Sequence, residues 1–211
     1  MKVLFIGNSF TARNDVPKLV AQLAQARGKQ LDHLLISAGG ASLRMHWNKG
    51  DAQKAIRETK WDYVVLQEQS TLPIKNPVRM HENVRLFDEV IKASGAKTAL
   101  YLTWARKHAP EMQEAITKAY TSVGAELGAL VAPVGVAWQE FERQHDSPVL
   151  HDEDQSHPTL AGSYLAACVF FSVLFGEYPV GIESDLKGLS RANGALLQET
   201  AWAATRPPKV S

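Results

Sequence analysis

The sequence predicts an α/β fold of three layers, α/β/α, around a parallel five-stranded sheet, and three observations carry that prediction. Short continuous apolar runs rich in β-branched residues recur along the chain, as strands buried on both faces do. Helix-compatible stretches with one apolar face separate them, an alternation that implies right-handed crossovers and a sheet covered on both sides. The first three runs also stop at small or amide side chains, at the strand edge where open parallel sheets bind ligands. The 211 residues are within reach of one α/β domain, expected over 1–205, with a disordered tail over 206–211.

Val3-Leu4-Phe5-Ile6 reads as the first strand, and Gly7-Asn8-Ser9-Phe10-Thr11 cannot continue it. Asn14 or Asp15 can cap a helix with Pro17 in its first turn and Val16, Leu19, Val20 and Leu23 on one face, ended by Gly28. Leu31 to Ile36 is the second strand, and it breaks at Ser37-Ala38-Gly39-Gly40-Ala41-Ser42. A helix from about Asp51 to Lys60 leads to the third strand, Tyr63-Val64-Val65-Leu66, which ends in Gln67-Glu68-Gln69-Ser70. A loop through Pro73 and Pro77 precedes a helix from about Glu82 to Lys92, with Val84, Phe87, Val90 and Ile91 on one face. Thr98 to Leu102 is the fourth strand, followed by Thr103-Trp104-Ala105-Arg106-Lys107-His108 and a helix from about Pro110 to Leu127. Leu130 to Val136 is a weaker fifth strand, and Pro133 inside it indicates an edge or a break. Asp146 to Gln155 has loop composition, Pro158 suits the first position of an apolar helix reaching Phe175, and a last helix spans about Ser190 to Ala204.

Composition narrows the partners. With 23 basic and 22 acidic side chains the net charge is +1, so no strong field draws the chain to nucleic acid or an anionic membrane, and small, roughly neutral partners are favoured. The single cysteine, Cys168, excludes an internal disulfide and a thiolate-cluster metal site, and its apolar neighbours place it in the core. The amino-terminal apolar run of about five residues is shorter than the roughly 7–15 of a signal-peptide core or the roughly 20 of a spanning helix. The expected location is cytoplasmic, or secreted or periplasmic if a signal sequence had been removed.

The chemistry-bearing residues lie at strand ends. Serine is a poor nucleophile at neutral pH and needs a base within hydrogen-bond reach, itself oriented by a third group. Ser9 stands in such a place, and Asp154-Gln155-Ser156-His157-Pro158 offers both helpers: Asp154 could accept the His157 Nδ1–H and leave Nε2 free for the serine proton. Each stretch has a plainer reading, an ordinary strand-to-helix turn for the first and caps of the following helix for the second. Acyl transfer also needs donors aimed at the oxygen that becomes negative. The amides of Ser9 and Gly40 could supply two of them, and the side chain of Gln69, or alternatively Gln67, a third. Turn geometry alone would equally explain Gly40.

With these residues in place, Gly7-Asn8-Ser9-Phe10-Thr11 resembles the GDSx(S/T) block of the SGNH, or GDSL-like, hydrolase superfamily, and Asp154-Gln155-Ser156-His157-Pro158 resembles its closing DxxHP block. Gly40 matches the second-block glycine, and Gln69 falls where the third-block asparagine should be. The resemblance implies a flavodoxin-like fold, Ser9 as nucleophile, His157 as general base, Asp154 as its orienting group, and an oxyanion hole from Ser9, Gly40 and a side-chain amide. It implies a serine hydrolase acting on small acyl esters, O-acetyl groups on carbohydrate among them, through an acyl-enzyme and with no cofactor. The departures are Asn8 in place of aspartate, where an amide can still brace the turn, and Gln67-Glu68-Gln69 in place of G-x-N-D. The latter is similar to glutamine- and glutamate-bearing sialate O-acetylesterase-like and acetylxylan esterase members.

Around that site Asn8, Trp47, Trp104 and Arg106 are the candidates for contact with substrate, together with His46 and His108, because aromatic faces suit sugar rings and arginine suits carboxylates. His33, His81, His145 and His151 are expected at the surface. Neither a protease-type zinc spacing nor a phosphate-binding glycine motif occurs, so no metal is expected. Activity should fall as the pH drops through the ordinary histidine value of about 6.5. Two other classes compete: a non-catalytic small-molecule or carbohydrate-binding module on the same fold, and a flavin or nucleotide binder with the same strand order.

Overall fold

The strands are β1 (Lys2–Gly7), β2 (Asp32–Ser37), β3 (Tyr63–Leu66), β4 (Lys97–Tyr101) and β5 (Leu130–Ala132), in a computed structural model that describes residues 1–183 and 186–206. All four pairings are parallel and the order is β2-β1-β3-β4-β5. This is the flavodoxin-like order, whose switch point lies between β1 and β3. The α/β/α fold expected from the sequence is therefore borne out.

Alternation along β1 divides the core. Val3 and Phe5 point to one face, where they pack with α2 (Val16–Ala26), α8 (Val134–Gln144), α9 (Leu160–Phe175) and α10 (Arg191–Thr205). Leu4 and Ile6 point to the other and meet α3 (Leu43–Lys49), α4 (Asp51–Glu58), α6 (Pro77–Ala93) and α7 (Gln113–Leu127). The residues of α9 are apolar on nearly every side, because it is sandwiched between α2, α8 and α10, and Cys168 within it is fully buried. That burial holds the thiol above its ordinary value.

Several boundaries differ from expectation for identifiable reasons. β2 is an exposed edge strand, not a buried one, since only β1 pairs with it. The small-residue turn after β2 leads into α3, started by the Ser42 hydroxyl accepting from Met45 N–H at 3.3 Å. β5 stops at Ala132, at the opposite edge, because Pro133 begins α8. Pro158 lies outside α9; it pairs with His151 in an isolated bridge, and Thr159 caps the helix. Of the tail expected over 206–211, residues 207–211 lie outside the described residues, and Arg206 forms the C-cap of α10.

Candidate active site

β1 ends at Gly7 and the chain turns at Asn8 into the single turn α1 (Ser9–Ala12). Gly7 is required by close approach: a Cβ there would lie 2.7 Å from both Gln67 Oε1 and Thr11 Oγ1. Asn8 caps the turn. Its Oδ1 accepts from Phe10 N–H at 3.0 Å, its Nδ2 donates to Ala41 O at 3.0 Å, and its own N–H donates to Gln67 Oε1 at 2.9 Å. With 3 % of its surface exposed and both ends of the amide engaged by protein, Asn8 braces the turn and is not free to meet a substrate.

Ser9 is the first residue of α1 and partly accessible, and its Oγ lies 2.8 Å from His157 Nε2. On the far side of that ring, His157 Nδ1 donates to Asp154 Oδ2. A carboxylate can only accept, so Nδ1 carries a proton, and Nε2 is the ring nitrogen that faces the serine hydroxyl. Asp154 Oδ1 accepts the backbone N–H of His157 at 2.8 Å and of Ser156 at 3.0 Å. The His157 N–H first, then its ring, hold the Asp154 carboxyl well below the usual carboxylate range. The loop is tied back to the serine turn: Arg13 pairs with Asp152 at 2.8 Å, and Asn14 Nδ2 donates to Pro158 O at 3.4 Å as well as to Ser163 Oγ of α9 at 3.0 Å.

The donor side comes from β2 and β3. Ile6 is registered with both Ile36 and Leu66, so Ser9 and Gln69 each lie three residues past paired positions across the switch point. Gly40 sits in an exposed turn with φ +65°, a conformation that favours glycine. Among the described residues, neither the Ser9 nor the Gly40 N–H has a protein acceptor. Gln69 Oε1 accepts from Thr71 N–H (2.9 Å), Thr71 Oγ1 (3.0 Å) and Leu72 N–H (3.1 Å). These donors fix the amide orientation and leave its NH₂ without a protein acceptor among the described residues. Gln67 is different: fully buried, it accepts from Asn8 N–H and Thr11 Oγ1 and donates to Glu68 O, which removes it as an alternative donor.

Of the expected pocket residues, Trp104 is 2 % exposed. Its ring stacks between Phe10 at 4.6 Å and Trp138 at 4.0 Å, and its Nε1 donates to Ser156 O at 3.0 Å. It is thus an internal strut joining the serine turn to the histidine loop, because burying so large an apolar surface outweighs exposing it. Phe10 in turn meets the His157 ring edge-on at 5.5 Å. Trp47 packs edge-on against Phe87 at 5.2 Å, at the margin of the core. Arg106 is exposed and lines, with Lys107, Trp138 and Arg143, a cavity of about 510 Å³ that includes neither Ser9 nor His157. His108 is exposed.

Two histidines are internal. His46 Nε2 donates to Gly7 O at 2.7 Å, and burial lowers its pKa against the opposing pull of that bond. His151, expected at the surface, is buried between Glu142 Oε1 at 2.8 Å and Ala105 O at 3.0 Å. The residue sequence reading passed over is Glu68, a fully buried carboxylate that accepts from Leu43 N–H, Gln69 N–H and Asn83 Nδ2. A glutamate directly after a buried strand was the signal, since such residues are rarely buried unless partnered. Among the described residues no group of three or more His, Cys, Asp or Glu is placed to hold a metal ion, and no helix is long and apolar enough to cross a membrane.

Comparison with known proteins gives the class. No protein-family model and no curated protein matches the sequence. Among solved structures, a candidate SGNH hydrolase from Slackia heliotrinireducens is 29 % identical with a TM-score of 0.71, over 82 % of this chain and 98 % of that one. A DUF4886-family protein from Bacteroides uniformis is 21 % identical with a TM-score of 0.80, over 97 % and 94 %. An acetylxylan esterase from Geobacillus stearothermophilus is 18 % identical with a TM-score of 0.66, over 82 % and 93 %. The chain has the fold of the SGNH hydrolases, and the resemblance read from its sequence is borne out at that level. Other structures with this fold include esterases and a lipase/acylhydrolase.

Proposed function

We propose that the chain is a serine esterase that cleaves small acyl esters, O-acetyl groups on carbohydrate among them, through an acyl-enzyme. The observation that carries the reading is the 2.8 Å contact of Ser9 Oγ with His157 Nε2, backed by Asp154 on Nδ1. In the first half-reaction Nε2 takes the Ser9 proton as Oγ bonds to the acyl carbon, and the ester oxygen leaves with that proton as the alcohol. Water then adds to the acyl-enzyme, gives its proton to Nε2, and Ser9 departs with it, releasing the acid. The negative oxygen formed in each half is met by the Ser9 and Gly40 N–H groups and the Gln69 amide, three donors without protein acceptors among the described residues. Carbohydrate as the alcohol is supported by the acetylxylan esterase with this fold.

The direct test is p-nitrophenol release from acetate and longer acyl esters by wild type and Ser9→Ala at neutral pH. Wild type is expected to turn over acetate, and the variant to lose about 10⁴–10⁶ in kcat. Equal rates in the two proteins would remove Ser9 as the nucleophile. Because a general base must be free to accept the serine proton, kcat/KM should fall on acidification, and a profile with no acidic limb would count against His157 as base.

A further inference from the structure

Building on the esterase reading, we propose that Glu68 is a positioning residue that clamps the Gly40 loop to the Gln69 turn and so sets the spacing of the donors facing the reacting oxygen. Its Oε1 accepts two backbone N–H groups from different loops, Leu43 at 3.0 Å and Gln69 at 2.7 Å. Leu43 lies three residues past Gly40, and between them Ala41 O is held by Asn8 Nδ2 at 3.0 Å. The Gly40 loop is therefore pinned at one point to the serine turn and at another to the turn that carries Gln69.

The other oxygen completes a circuit. Glu68 Oε2 accepts from Asn83 Nδ2 at 2.9 Å, and Asn83 Oδ1 accepts from Arg44 Nε at 2.9 Å. Arg44 neighbours Leu43 on α3, so the chain of bonds runs from α3 through Glu68 to α6 and back to α3. Burial pushes the Glu68 carboxyl up, while the bonds from Asn83, Gln69 and Leu43 and the charge of Arg44 pull the other way. Burying a carboxylate is an expensive way to join two loops that apolar packing could join. What apolar packing lacks is direction, and the carboxylate fixes two segments by their N–H groups, that of Gln69 itself and that of Leu43, three residues past Gly40. Errors of about 1 Å in such donors can cost about 10² in rate.

The circuit has a polarity that can be reversed. Glu68→Gln places an NH₂ against Asn83 Nδ2, and rotating the Asn83 amide only moves the clash to Arg44 Nε–H. Adding Asn83→Asp restores every donor to an acceptor: the new glutamine donates to Asp, which also accepts from Arg44. The experiment compares wild type, Glu68→Gln, Asn83→Asp and the double variant for kcat and KM on p-nitrophenyl acetate, and for amide hydrogen exchange at Leu43 and Gln69. Each single variant should lose about tenfold to a hundredfold in kcat with KM within about threefold, and should exchange both amides faster. The double variant should recover to within about tenfold of wild-type kcat, with wild-type protection. If Glu68→Gln fails to fold, Asn83→Asp and the double variant carry the same comparison. Unchanged exchange in the single variants, kcat within about threefold of wild type, or a folded double variant no better than the singles would overturn the proposal. Exchange needs no turnover, so altered protection in a protein with no esterase activity would sink the esterase reading and leave the clamp standing.

Discussion

Ser9, His157 and Asp154 meet one another through side-chain bonds, whereas the Ser9 and Gly40 amides and the Gln69 side chain are placed only by what stands behind them. The first half of the site rests on the loop 152–158, docked to the serine turn by Arg13–Asp152 and Asn14–Pro158 and, through Trp104 stacked on Phe10, by the bond to Ser156. The second half rests on a buried polar cluster of Gln67, Glu68 and Asn83 beneath the exposed Gly40 turn and the half-buried Gln69 turn. The half that would move protons in the proposed reaction is the more exposed, with the Asp154 side chain 47 % exposed and sustained by local bonds. The half that would present fixed dipoles in the proposed reaction is anchored by groups hidden from water, where each bond is stronger and each vacancy more costly.

That contrast can be broken from either side. Asp154→Asn should have the larger effect, about 10³–10⁴ in kcat, because an amide can present its NH₂ to Nδ1 and impose the wrong tautomer. A loss below about tenfold would show that the half-exposed carboxylate is replaceable by water. On the donor side, Gln69→Ala should cost about 10²–10³ in kcat if its amide meets the oxyanion. Because Gln67 is committed elsewhere, a loss below tenfold would leave the role to the two backbone amides.

Smaller effects separate framework from chemistry. Trp104→Phe keeps a ring in the stack but removes the bond to Ser156 O, and should lower Tm by about 2–4 °C, the shift that about 1 kcal/mol gives a chain of this size. Its kcat should fall only a few-fold, and a loss as large as that of Asp154→Asn would mean that the strut positions His157 directly. His46 gives a pH signature of stability. Its pKa is lowered in the fold, so its contribution is complete above the ordinary histidine value of about 6.5 and is lost on acidification, as the unfolded chain takes up the proton first. Wild-type Tm should therefore drop more steeply from pH 7 to 5 than that of His46→Gln, whose amide can still donate to Gly7 O. Parallel slopes would remove His46 as the cause.

The strands and most helices are legible because apolar runs and one-face periodicity are local signals, whereas the strand order β2-β1-β3-β4-β5 is indicated only by the resemblance to a known superfamily. What is not local is not legible. The start of α8 at Pro133 is hidden because the preceding strand residues run on as apolar Val134 and Val136. Trp104 reads as a pocket wall from its place after β4, and only the packing of Phe10 and Trp138 turns it inward. In the site, residue types and order point to Ser9, Asp154 and His157, but the contact between positions 148 residues apart belongs to the tertiary fold. Asn83 could have been found, since it shares the apolar stripe of Met80, Val84 and Phe87 and a polar residue there needs a buried partner. That the partner is Glu68 depends on how α6 lies against β3, which no pattern within either segment encodes.

The measurement that bears most directly on the account is the site of covalent capture by a fluorophosphonate, read by mass spectrometry of the intact protein and its peptides. The arrangement of His157 against Ser9 predicts one adduct per chain, on Ser9, absent from Ser9→Ala and slowed in Asp154→Asn. An adduct on another residue, or none on a folded wild-type protein, would contradict it.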